Sequence, residues 1–147
     1  MLHRATWRAV TPLAALLLLS CKQAESAPVH INPANVEHTD GSDLGVLTLT
    51  EKAAERLGVE TAPLAGAFID EQGRERTAVP YSAVLYDANG ETWVYTNPAP
   101  LTFVRHRIEI ESIEGDLAII TSGPEQGTQV VTVAASELFG TEFEVGH

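Results

Sequence analysis

Short runs of alternating apolar and polar residues follow one another along the chain after Leu44, separated by turn-forming residues. Alternation with a period of two predicts β-strands, whereas a helix needs apolar positions three or four residues apart. The longest run predicts a strand over residues 102–111, and Phe103, Arg105, Arg107, Glu109 and Glu111 lie on its charged face. The opposite face carries Thr102, Val104, His106, Ile108 and Ile110. Because that face is the more aliphatic one, we expect it to face the core.

Further strands are predicted at residues 44–49, 59–64, 117–120 and 129–133. A short helix over residues 51–57 is predicted between the first two, because Thr50 can cap its start and Gly58 can end it in the left-handed conformation. Acidic Glu51 near the start and basic Arg56 near the end suit the helix dipole. Residues 134–146 predict one helical turn and a last short strand.

Residues 83–95 predict a β-hairpin with Asn89-Gly90 at its centre. Asn-Gly favours a two-residue type I′ turn, because both residues tolerate positive φ. Counting outward from that turn pairs Tyr86 with Trp93 and Val84 with Tyr95. The predicted register brings aromatic and branched side chains together on one face.

These elements predict a mainly β fold, a small antiparallel barrel-like or sandwich-like domain over residues 44–147 with one or two short helices. Residues 22–43 are rich in Ala, Pro, Asn, Ser and acids. They show neither the period of two of a strand nor the 3.6-residue period of a helix, so we interpret them as a flexible tether. At about 5–6 Å times the square root of its length, such a tether typically spans about 25 Å.

The first 20 residues carry the pattern of a secretory signal peptide. His3, Arg4 and Arg8 precede an apolar run at residues 13–19 that is too short for a membrane-spanning helix. Leu18-Leu19-Ser20-Cys21 resembles the lipobox of bacterial lipoproteins, which implies a diacylglyceryl group on Cys21, cleavage before it and usually N-acylation. Two or more acyl chains form a durable membrane anchor. An ordinary secreted protein with an incidental cysteine is the alternative.

Charge narrows the choice of partners. Removal of residues 1–20 takes away Arg4 and Arg8 and no acidic residue, which leaves seven basic and 20 acidic residues. Nucleic acid and anionic lipid headgroups would both be repelled by such a chain. The mature length fits one domain, and a single cysteine excludes an intramolecular disulfide.

The residues predict no catalytic site, no cofactor and no metal site. The serines lack the strained elbow of a hydrolase nucleophile, and the glycine segments lack the spacing of a phosphate loop. His106 is expected to be a core or rim histidine. His30 and His38, with the nearby acids of the tether (Glu37, Asp40 and Asp43), fit at most a weak divalent-metal site.

Two ordered stretches resemble the membrane-proximal part of periplasmic adaptor subunits, the membrane-fusion proteins of resistance-nodulation-division efflux pumps. The first covers residues 47–61. The second runs through Val79-Pro80-Tyr81-Ser82-Ala83-Val84, Gly90-Glu91-Thr92-Trp93-Val94-Tyr95, residues 103–110, the glycine turn and paired valines of residues 123–133, and Ser136-Glu137-Leu138. The resemblance implies a non-catalytic β domain that packs against a transporter.

Only about fifteen residues, 64–78, stand where a full adaptor has a helical hairpin, a lipoyl-like domain and a further barrel. The chain is therefore expected to be an accessory subunit, facing the periplasm on a lipid anchor and docking on an inner-membrane efflux transporter or a full-length adaptor. Its expected docking surface is Phe103, Arg105 and Arg107, the one concentrated patch of basic and aromatic residues. A solvated strand face with cross-strand ion pairs to Glu109 or Glu111 neighbours is the alternative for that patch.

Two other functions stay open from the sequence. One is a metal-binding or ligand-binding lipoprotein of the envelope that uses the tether histidines or a pocket between strands. The other is a remnant of an adaptor without a transporter partner.

Overall fold

The computed structural model describes residues 32–38, 41, 44–64, 68–69 and 72–143. Within them the fold is mainly β, as predicted, with ten strands, two α-helices and one 3-10 helix (Tyr81–Ala83). The strands are β1 (Ala34–His38), β2 (Gly45–Leu49), β3 (Glu60–Pro63), β4 (Phe68–Ile69), β5 (Glu75–Pro80), β6 (Leu85–Tyr86), β7 (Thr92–Ala99), β8 (Thr102–Glu114), β9 (Leu117–Ser122) and β10 (Gln129–Val133). The helices are α1 (Glu51–Leu57) and α2 (Ala135–Glu142).

The antiparallel pair β7 and β8 forms the centre of the sheet, whose main order is β3-β10-β7-β8-β9-β5-β4. The 13-residue β8 has two neighbours on its outer edge, β2 at its start and β9 at its end, with register shifts between Glu109 and Ser112. Among the described residues β1, β3 and β4 each pair on one side only. The sheet is therefore open, and the barrel alternative of the predicted fold is not formed.

Apolar side chains are buried on both faces of this sheet. One cluster, the helix-side core, packs beneath α1 and α2 and contains Leu47, Leu49, Leu85, Tyr95, Phe103, Val131, Ala135 and Leu138. The other, the strand-side core, contains Leu64, Val79, Ala83, Val94, Ile108, Ala118, Ile120 and Val130. Successive residues contribute to opposite cores, as Val94 and Tyr95 do in β7, because strand side chains alternate between faces.

Helix α1 has the predicted limits and caps. The hydroxyl of Thr50 accepts a hydrogen bond from the backbone N–H of Ala53 at 3.2 Å, and Gly58 adopts φ 65°. Helix α2 is longer than the single turn predicted for this region. The last predicted strand lies outside the described residues.

The predicted hairpin forms, but its turn and register differ from the prediction. Leu85 pairs with Trp93 and Tyr86 with Thr92, one residue away from the predicted pairs. Gly90 has φ 80°, whereas Asn89 is not in the positive-φ region that a type I′ turn requires of both residues. The carboxylate of Asp87 accepts backbone hydrogen bonds from Asn89 and Glu91 at 2.8 and 2.9 Å, and this bonding favours a longer loop.

Part of the predicted tether is folded. Strand β1 pairs with β2 along its whole length, and Ala34 and Val36 pack against the helix-side core. The prediction that residues 22–43 form a flexible tether is therefore wrong for Ala34–His38, and the predicted domain start at Leu44 is too late. The short alternation of Ala34, Asn35, Val36 and Glu37 is the signal that was missed. The predicted signal peptide, Cys21 and residues 22–31 lie outside the described residues.

Candidate functional site

Two of the three predicted docking residues are buried. Phe103 is 3% and Arg105 5% exposed: Phe103 belongs to the helix-side core, and Arg105 contacts Phe139 and Glu142 of α2. Only Arg107 is exposed, and its guanidinium forms an ion pair with the carboxylate of Glu91 at 2.6 Å. The prediction that Phe103, Arg105 and Arg107 form a docking surface is therefore wrong for its first two members. The exposed ion pair of Arg107 fits the alternative of a solvated strand face, but its partner is Glu91 and not Glu109 or Glu111.

The guanidinium of Arg105 pairs with a carboxylate from the end of α2. Its Nε donates to both carboxylate oxygens of Glu142, at 3.0 and 2.9 Å, and Glu142 is only 4% exposed. Burial strengthens an ion pair and also makes each charge costly if its partner is lost. The pair therefore links α2 to β8, and loss of either side chain would leave the other charge buried without its partner.

Two further donors complete the surroundings of the Glu142 carboxylate. The hydroxyl of Tyr95 in β7 donates to Oε2, and the backbone N–H of Gly45 in β2 donates to Oε1 at 3.2 Å. Burial raises the pKa of the Tyr95 phenol, and its hydrogen bond to the Glu142 carboxylate raises it further. Tyr95 therefore remains a hydrogen-bond donor throughout the ordinary pH range.

Gly45 allows this close approach because it has no side chain. A Cβ at this position would lie 2.9 Å from Cγ1 of Val36 and 3.1 Å from Oε1 of Glu142. Both distances are shorter than ordinary van der Waals contacts. The glycine at the start of β2 is thus part of the carboxylate site.

Aromatic rings surround the Arg105 guanidinium. Its carbon lies 4.8 Å from the ring centroids of both Trp93 and Phe143 and 5.9 Å from that of Phe139. Contacts of this kind stabilise a cation, and more strongly where water is excluded. Four described residues around the ion pair (Trp93, Tyr95, Phe139 and Phe143) are aromatic, so the cluster is held by packing as well as by charge.

Trp93 is itself fixed by the hairpin loop. Its indole N–H donates to the Asp87 carboxylate at 3.1 Å. Partial burial alone would raise the pKa of the Asp87 carboxyl, but hydrogen bonds from the N–H groups of Glu91, Trp93 and Asn89 outweigh that effect and lower it. The loop therefore presents an ionised carboxylate to the edge of the aromatic cluster.

Glu142, Tyr95 and Gly45 are members of this cluster that the sequence patterns did not predict. A signal for Glu142 was present: Ala135, Leu138, Phe139 and Glu142 follow the i, i+3, i+4, i+7 pattern of the buried face of a helix. The partners of Glu142 come from three strands far away in the chain, and no local pattern predicts them.

The histidines do not gather into a site in the described residues. His106 is exposed on β8, so the expectation that it lies in the core or at its rim is wrong. No group of three or more His, Cys, Asp or Glu side chains with metal-binding geometry occurs in the part of the chain that the structure describes. The alternative tether site depends on His30, Asp40 and Asp43, which lie outside that part, and stays a prediction.

Exposed apolar side chains gather around the 3-10 helix. Tyr81, Tyr86, Leu117 and Val133, here called the tyrosine surface, are between 42% and 51% exposed. The side chains of Tyr81 and Tyr86 lie close together. Pro80, next to Tyr81, pairs with Leu117, and the hydroxyl of Ser82 donates to the carbonyl of Thr132, next to Val133, at 3.3 Å. Interaction with the Tyr81 side chain raises the pKa of Tyr86.

Within the described residues no helix combines the length and the apolar character needed to cross a bilayer. Comparison of the chain with family models and with curated proteins finds no match.

Proposed function

We propose that this chain is a non-catalytic, lipid-anchored protein of the cell envelope that acts as an adaptor-like, membrane-proximal domain of an efflux system. It docks on an inner-membrane transporter or on a full-length adaptor and needs no cofactor. The proposal starts from the resemblance of residues 47–61 and 79–138 to the two ends of the membrane-proximal part of such adaptors.

The observation that supports it is the way in which these two stretches share one sheet. Strand β2 of the first stretch pairs with β8, and β3 at the end of that stretch pairs with β10. Both strands of the first stretch therefore lie beside strands of the second. The short segment between them spans the place of the missing adaptor domains. Two stretches that are far apart along the chain of a full adaptor thus form one β unit here.

The folded β1 shortens the connection to the anchor. Ten residues, 22–31, lie between Cys21 and Asn32, the first described residue, so eleven Cα–Cα steps join the two, and an extended chain spans at most about 3.6 Å per step. A lipidated Cys21 would therefore hold Asn32 within about 40 Å of its membrane. This distance suits a domain that acts at the level of the transporter.

Co-purification from cell membranes tests the proposal. Tagged full-length chain, expressed with the resistance-nodulation-division transporter and adaptor of its own genome, should bring down one of the two. Cys21→Ala should lose the acyl label after feeding with alkyne-palmitate and should recover at least fivefold less partner at native expression. Failure of the wild-type chain to recover either protein would overturn the proposal, and normal recovery by Cys21→Ala would overturn the role of the anchor.

A further inference from the structure

We propose that the tyrosine surface is the docking face of this chain, and that its occupant is a protein surface with an apolar centre and a basic rim. The inference rests on the proposed function, because it takes that occupant to be the transporter or the full-length adaptor. The tyrosine surface takes the place of the docking surface predicted from the sequence, because Phe103 and Arg105 of that predicted surface are buried.

Clustering distinguishes this surface from ordinary exposed apolar residues. The described residues contain six exposed large apolar side chains, and four of them form the tyrosine surface. Single exposed apolar residues are normal on a soluble domain, whereas contiguous ones mark interaction sites. Tyrosine is also enriched in protein interfaces, where its ring packs and its hydroxyl finds a polar partner.

The frame around these side chains is held by hydrogen bonds. The N–H of Tyr81 donates to the carbonyl of Asp116 at 2.8 Å, and the N–H of Val84 donates to the carbonyl of Tyr81 at 3.1 Å. Together with the bond from Ser82 to Thr132, these contacts connect the 3-10 helix to β9 and β10. A surface fixed before binding loses less conformational freedom on docking.

Charge decides between the possible occupants. Exposed Glu114 and Asp116 adjoin Leu117 at the turn between β8 and β9, and the whole chain has a net charge of −11. A second copy of the chain and an anionic lipid surface would both be repelled by this rim. A partner with Lys and Arg around an apolar centre would be attracted.

The position of the chain entry agrees with a protein partner. Pro33 accepts a hydrogen bond from the N–H of Thr50, and Leu101 accepts one from the N–H of Leu49, so the entry to β1 lies beside the turn before β8. Tyr81 and Leu117 lie beside the turn that follows the other end of β8. Tyr81 and Leu117 thus lie at the end of this strand opposite to the anchored entry, whereas Tyr86 pairs with Thr92, which pairs with Ile108 in the middle of β8.

Binding of the lipidated full-length chain to nanodiscs tests the inference. The probes are the purified transporter and the purified full adaptor of the same genome, each measured by interferometry. Leu117→Glu and Tyr86→Glu should each weaken binding at least tenfold, and Thr48→Glu, an exposed strand position in β2, should stay within twofold. Circular dichroism and urea midpoints identify any variant that loses its fold, and Leu117→Glu and Tyr86→Glu provide independent tests.

The outcomes separate this inference from the proposed function. Binding of both Leu117→Glu and Tyr86→Glu at wild-type strength would overturn the docking face and leave the proposed function standing. No binding of the wild-type chain to either protein would overturn both. If these two variants abolish self-association in sedimentation, or binding to empty phosphatidylglycerol nanodiscs, the occupant is a second copy or a lipid surface and the inference is overturned. Weaker wild-type binding at 300 than at 50 mM salt would support the basic rim, and unchanged binding would contradict it.

Discussion

The two faces of the central sheet are stabilised in different ways. The strand-side core is built from aliphatic residues and alanine alone, with Val79, Val94 and Ile108 at 1% exposure or less. The helix-side core borders the buried pair of Arg105 and Glu142 and a ring of aromatic residues. Strands pack on the first face, whereas α2 closes the second.

The difference shows what a buried ion pair adds to a small β domain. Apolar packing tolerates small changes of shape, because each lost methylene costs about 1 kcal/mol. A buried charge demands one partner at one place, and its loss leaves the other charge unsatisfied. The pair therefore gives α2 a single docking position, while the strand-side core supplies stability that depends little on charge.

The largest loss of stability is expected from breaking the ion pair of Arg105 and Glu142. Arg105→Met should lower the free energy of unfolding by about 3–5 kcal/mol, because it leaves the Glu142 carboxylate buried without its cation. Urea denaturation measures the change. Arg107→Met is the matched control: it lies two residues away on the same face, but its ion pair is exposed and should contribute at most about 1 kcal/mol.

The double variant Arg105→Met with Glu142→Met removes both charges and checks this interpretation. Its loss of stability should be smaller than the sum of the two single losses by about 2–3 kcal/mol, since neither charge is then left alone. Additive losses would show that the two side chains stabilise the fold independently.

A smaller effect is expected at the third partner of the carboxylate. Tyr95→Phe should cost about 1–3 kcal/mol at neutral pH, because a hydrogen bond to a charged group is lost. The pKa of Tyr95 is raised in the folded protein, so the unfolded chain releases this proton first, near pH 10.

The contribution of Tyr95 is therefore fully present below about pH 10 and is lost as the pH rises further, by at most about 1.4 kcal/mol per pH unit. Urea midpoints from pH 7 to 11 should bring the wild type and Tyr95→Phe closer together at the alkaline end. A constant gap across this range would count against the Tyr95 assignment.

In the strand-side core, Ile108→Val should cost about 0.5–1.5 kcal/mol, through the loss of one buried methylene. This loss should be the same at pH 7 and pH 10 and at low and high salt, because no charged group takes part. A loss that varied with pH would contradict the contrast between the two cores. Thermal and urea unfolding of the same variant provide the measurement.

The smallest effect is expected from a substitution that stabilises the start of α2 without changing any charge. Ala134, just before α2, has φ 70°, a left-handed conformation that costs an ordinary residue about 1–2 kcal/mol. Ala134→Gly removes that strain but gives the unfolded chain more freedom, so we expect a net gain of about 0.5–1 kcal/mol. Calorimetry should show a melting temperature a few degrees higher; a lower one would disprove the strain.

Local patterns predicted the elements whose causes lie within a few residues. Helix α1 has the predicted limits because Thr50 and Gly58 act on backbone groups of the same helix. The hairpin at residues 85–93 was predicted from its turn residues, but its register was not, because the Asp87 carboxylate holds a longer loop than Asn-Gly alone implies.

Patterns along one strand did not predict the buried cluster. Alternation in β8 correctly separated Phe103, Arg105 and Arg107 from the other face, but two arginines among acids indicated a solvent face. That face is buried at Arg105 because Glu142, 37 residues further on, provides the opposite charge. A charged residue can be placed inside only when its partner is known.

The sequence by itself determined the mainly β class, the limits of α1, the hairpin and the alternation of faces along each strand. These features follow from caps, turns and period-two patterns, which act between near neighbours. The tertiary structure decided that both faces of the sheet are covered, that Ala34–His38 forms a strand, and that Arg105 is buried while Tyr81 and Tyr86 are exposed. The physical reason is that burial is a property of surfaces brought together from distant parts of the chain.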